Sequence, residues 1–70
     1  MDANEFQKFL RAVNCMGDLD FVDMYVALGF KPSYAMEKFR IMRTNFCAWA
    51  CNMDENTLNK VIDWVKNNRY

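Results

Sequence analysis

The most continuous hydrophobic periodicity in the chain lies between Ser33 and Cys51. Steps of four and three residues there join Ala35, Phe39, Met42, Phe46 and Trp49. No Gly or Pro interrupts the segment, and the spacing is that of one face of an α-helix. A second ridge, Tyr34, Ile41 and Ala48, runs along another side. Met36, Cys47 and Cys51 occupy what remains. A helix apolar on nearly every side is normally surrounded by protein. The pattern therefore predicts one central helix over 33–51, with the first stripe facing the core.

Three further helices are expected around it. The first covers about 3–15. Asp2 is a good N-cap with Glu5 three residues later, and Phe6, Phe9, Leu10 and Val13 form one buried face. Glu5 and Lys8 can pair on its surface, and Gly17 is expected to stop it in a left-handed conformation. The second runs over 19–28 with Asp18 as its cap, Asp20 in the positive first turn, and Phe21, Val22, Tyr25 and Leu28 inward. Gly29 ends it. Lys31 precedes a proline and is pushed out of helical geometry, so Pro32 or Ser33 opens the next helix. The last helix spans 55–68, capped by Asn52 with Glu55 or by Asp54, with Leu58, Val61, Ile62 and Val65 as its stripe and Trp64 on the flank. No alternating strand pattern, repeat or low-complexity stretch occurs. The expected fold is all-α: a single compact four-helix domain over residues 1–70.

Composition changes this picture in one respect. A chain of 70 residues buries only about 60% of the surface it exposes on unfolding, yet 53% of its residues are apolar and 16% aromatic. That surplus implies either an unusually aromatic core or apolar surface covered by a second chain. Formal charge is zero but uneven. Two cations face five carboxylates up to Phe30, and seven face four from Lys31 onward, giving halves of −3 and +3. Such a dipole can orient a partner or favour head-to-tail contacts.

Three cysteines, Cys15, Cys47 and Cys51, are too few for a disulfide scaffold, and the acidic, polar start MDANEF is not a signal peptide. The longest apolar run, 46–51, is far short of a membrane span. These features point to a reducing, cytoplasmic setting and to no membrane partner.

Candidate chemistry is sparse. The chain has no histidine, so the usual general base and the Ser–His and Cys–His pairings are missing, and two glycines cannot form a phosphate-cradling loop. Asp18, Asp20 and Asp23 lack the Gly and the later Glu of a calcium loop and read as a helix start. Three cysteines fall short of the four ligands of structural zinc, and Cys47 and Cys51 read as small core residues. No catalytic residue, metal or cofactor is therefore assigned.

Two functional expectations remain. The surplus of large apolar residues implies a non-enzymatic module that binds another protein or a second copy of itself. Tyr34, Ile41, Trp64 and Tyr70 would form its contact surface, rimmed by Arg40 and Arg43. An inhibitor, including a phage-encoded one, or an adaptor fits this description. The alternative is a small helix-turn-helix DNA-binding protein. Leu28, Gly29, Phe30 and Ala35 have suitable spacing, and Lys31, Lys38, Arg40 and Arg43 would meet phosphates. A pI near 6.1 and Glu37 on the reading face weigh against it.

Overall fold

A computed structural model describes residues 2–70. Among them the chain forms five helices and no strand: α1 (Ala3–Asn14), α2 (Asp18–Ala27), α3 (Pro32–Thr44), α4 (Phe46–Cys51) and α5 (Glu55–Arg69). The fold is all-α, but the stretch expected as one central helix is two. Asn45 breaks it, with φ −154° and ψ 98°. This residue ends α3, its amide donating to the Ile41 carbonyl, and also starts α4, its side chain accepting from the Ala48 amide at 3.1 Å. Asn is a favoured N-cap because its short side chain replaces the missing helical acceptor. Hydrophobic spacing alone does not register such a break, since the stripe continues across it.

The apolar stripe nevertheless faces inward. Ala35, Met42 and Trp49 are buried, and Phe39 and Phe46 pack partly buried against the core. Trp49 is the centre of the molecule. Its ring meets Phe46 at 5.3 Å, Phe21 at 5.6 Å and Phe9 at 6.2 Å between centroids. Such offset and edge-on pairs add to what burial alone contributes. Val13, Met16, Met24, Val61 and Val65 close the remaining sides.

The other helix ends follow local chemistry, with several departures from expectation. Asp2 caps α1 by accepting from the Glu5 amide at 2.8 Å, and Asp54 caps α5 through the Thr57 amide and hydroxyl. Gly29 does adopt a positive φ, 98°, as the stop of α2, and Pro32 is the first residue of α3. Gly17, by contrast, is extended at φ −79° and precedes α2 as its N-cap. Asp18 is the first helical residue, its carboxylate accepting from Leu19. The residue before Gly17, Met16, is buried in the core. Glu5 pairs with Lys66 across the α1–α5 contact at 3.8 Å, while Lys8 lies over the Tyr70 ring.

The cysteines are also a correction. Cys15, Cys47 and Cys51 are all exposed, so none is a core residue. In α4, Cys47 and Cys51 stand two residues either side of Trp49, about 200° around the helix from it. Burying Trp49 turns both into water. No group of three or more His, Cys, Asp or Glu among the described residues could hold a metal ion, and no helix is long and apolar enough to cross a membrane.

Candidate functional site

The second ridge of the sequence, Tyr34, Ile41 and Ala48, lines a cleft of about 140 Å³ at the junction of α2, α3, α4 and α5. Tyr34, Lys38 and Ile41 stand on one side of α3 at helical spacing. The break at Asn45 leaves Ala48 on the same cleft, contributed by α4. The opposite wall comes from the α4–α5 link and the start of α5, with Met53, Asp54 and Thr57.

Three aromatic rings shape one end. Phe30 stacks on Tyr34 at 5.1 Å with 15° between planes, and Tyr25 meets these rings at 5.4 and 6.0 Å. Gly29 makes this cluster possible. Its left-handed turn reverses the chain within one residue and brings Phe30 back beside Tyr25, and the Phe30 amide donates to the Tyr25 carbonyl. At the floor, the Trp49 indole N–H donates to the Tyr25 hydroxyl oxygen at 2.8 Å. Tyr25 is 1% exposed. Burial raises its pKa from the usual 10.0 to about 12, against the lowering effect of the Trp49 bond and with a small further rise from Tyr34.

The rim carries both signs of charge. Half-buried Lys38 places its ammonium 5.1 Å from the Tyr34 ring centroid, a cation–π contact. Across the cleft, Asp54 is held by Thr57, whose hydroxyl and amide bonds lower the carboxyl pKa. Three rings line this recess, yet more of its accessible lining is polar than apolar, so it presents hydrogen-bonding groups beside ring faces. At about 140 Å³ the cleft compares with a cavity of roughly 150 Å³ that holds benzene. Pockets for cofactors and drug-sized ligands run to about 300–1,000 Å³.

The residues expected to form a contact surface are not all in one place. Tyr34 and Ile41 meet in the cleft, Tyr34 being 41% exposed and Ile41 partly buried on the core. Arg40 lies beside Ile41 in a shallow depression at the α3–α4 break. Arg43 reaches back over Phe39 and donates to the Asn14 carbonyl at 3.3 Å. Trp64 packs partly buried against the core, and Tyr70 lies at the end of α5 with Lys8, Arg11 and Arg69. Of the cations offered to phosphate, Lys31, Arg40 and Arg43 are exposed, but Lys38 and Arg40 stand about 200° apart around α3. The four therefore do not line one face.

Sequence reasoning missed Tyr25, Phe30, Met53 and Thr57 as parts of a site, because they come from α2, the α2–α3 link, the α4–α5 link and α5. The available signal was the presence of large apolar residues, Phe30 and Met53, in short links that water should otherwise own. It also missed Leu19 and Val26 of α2, which are 76% and 46% exposed. No protein-family model, curated protein or solved structure matches this chain.

Proposed function

We propose that this chain is a non-enzymatic helical module that acts by binding another protein, as an inhibitor or adaptor does, with the cleft as its point of attachment. The observation that carries this reading is the cleft itself, a small recess that sets ring faces beside polar groups and whose upper wall, Tyr34, stays 41% exposed beside a completed core. Interfaces concentrate affinity in buried aromatic anchors set in such recesses and ringed by polar groups.

Panning a random peptide library against the immobilised chain tests the proposal. Peptides should be enriched, and their affinity should fall at least tenfold in Tyr34→Ala, which removes the Phe30 stacking partner while leaving the buried core residues in place. Failure to enrich any peptide, or binding indifferent to Tyr34→Ala, would overturn it. A second copy of the chain is a partner of the same kind. Sedimentation equilibrium would then show association that the same substitution weakens.

One observation supports the DNA-binding alternative, namely α2 and α3 joined through the Gly29 turn. The divided cations count against it. Gel-shift titration at low salt discriminates, since phosphate neutralisation is strongest there. If it is correct, a Lys38→Glu, Arg40→Glu double change abolishes the shift.

A further inference from the structure

We propose that Cys47 and Cys51 together clamp one soft metal ion that is satisfied by two ligands in line, of the class of cuprous copper. This goes beyond the protein-binding reading and does not depend on the cleft.

The position of the two thiols carries the inference. Free cysteine is among the residue types most often buried, yet both stand exposed on the water side of α4. Four residues apart, they lie about 40° from each other around the helix, with Cβ atoms about 5–6 Å apart. Metal–thiolate bonds of about 2.3 Å set two sulfurs about 4.6 Å apart across one ion. Side chains one turn apart reach that span by rotation about χ1. The turn that carries them is fixed from both directions. Asn45 caps its start through the Ala48 amide, and Trp49 and Ala50 are buried on its other side. Binding therefore needs no rearrangement of the backbone.

Chemistry then narrows the use of the pair. A disulfide needs Cβ atoms about 3.5–4.5 Å apart, so these two thiols do not close on each other unless α4 unwinds. Coordination is left to them. Calcium and magnesium take oxygen ligands. Structural zinc takes four ligands from Cys and His, and no group of three or more candidate ligands gathers among the described residues. Thiolates select soft ions, cuprous copper among them, and that ion accepts two thiolates on opposite sides. On binding, each thiol gives its proton to solvent and one Cu–S bond forms at each sulfur. Copper enters and stays in the cuprous state, so no oxidant or reductant takes part.

The reduced chain, titrated without oxygen against the coloured cuprous complex of bicinchoninate, tests this. It should withdraw one copper per chain and sediment as the metal-free chain does. Cys47→Ser and Cys51→Ser should each weaken binding at least a hundredfold, because the second thiolate acts at the effective concentration of an attached ligand. Cys15→Ser, on a separate helix end, should change nothing. The decisive variant combines Cys51→Ser with Asn52→Cys. It keeps three exposed thiols but swings the second sulfur about 140° from Cys47, and it should bind as weakly as Cys51→Ser alone. All four positions are exposed, and unchanged helical circular dichroism checks that each variant folds. Undiminished binding in the combined variant would show that thiol number alone matters and overturns the inference. So does a Cys15→Ser loss equal to the others, a chain that takes no copper, or one copper shared by two chains that sediment as a dimer.

Discussion

Tyr25 and Trp49 make the one buried side-chain to side-chain hydrogen bond among the described residues, and it joins α2 to α4 across the core. Tyr25→Phe leaves the Trp49 N–H buried without a partner, and a loss of about 1–3 kcal/mol is expected in urea denaturation. The raised pKa adds a pH dependence. The folded state keeps the Tyr25 proton up to about pH 12, whereas the unfolded chain releases it near 10.0. The native state therefore binds more protons in that window, and stability falls as pH rises through it. The contribution is fully present below pH 10, and the fall should be shallower in Tyr25→Phe. Gly29 gives a second test at this scale. A Cβ there meets nothing within 4 Å, so Gly29→Ala isolates the backbone cost of φ 98°. Thermal denaturation should show a loss of about 1–2 kcal/mol. Ile41 packs on the core as well as lining the cleft, so Ile41→Asp should lower stability and not merely weaken association.

Individual elements show where spacing is informative and where it is not. The existence of α1, α2 and α5, and the ends set by Asp2, Gly29 and Asp54, follow from caps and apolar periodicity, since each acts through its immediate neighbours; the start of α2 does not, its cap being Gly17 and not Asp18. The α3–α4 break was not legible. Asn45 is a polar residue in a run where the stripe passes from Met42 to Phe46 without a phase change, and only its side-chain bond to Ala48 reveals the new start. Gly17 was misread for a related reason: it is extended and opens α2, where a glycine at the end of an apolar run reads as a helix stop. Asn45→Ala removes the α4 cap and should cost about 1 kcal/mol by chemical denaturation. A gain in stability would mean that α3 and α4 prefer to merge into one helix.

For the molecule as a whole, a surplus of apolar residues was readable from composition, but its distribution was not. The ridge Tyr34, Ile41 and Ala48 could be recognised as separate from the core stripe. That it forms a cleft depends on Phe30 and Met53 in two links, which no periodicity brings together. The exposed Leu19 and Val26 on α2 offer a competing contact surface. Backbone amide mapping by ¹⁵N–¹H NMR, with a library-selected peptide added to the labelled chain, separates the two most directly. Binding through the cleft predicts that the Trp49 indole and the amides of Tyr34, Lys38, Met53 and Thr57 shift together. Shifts confined to residues 19–26, with the Trp49 indole unmoved, would contradict it.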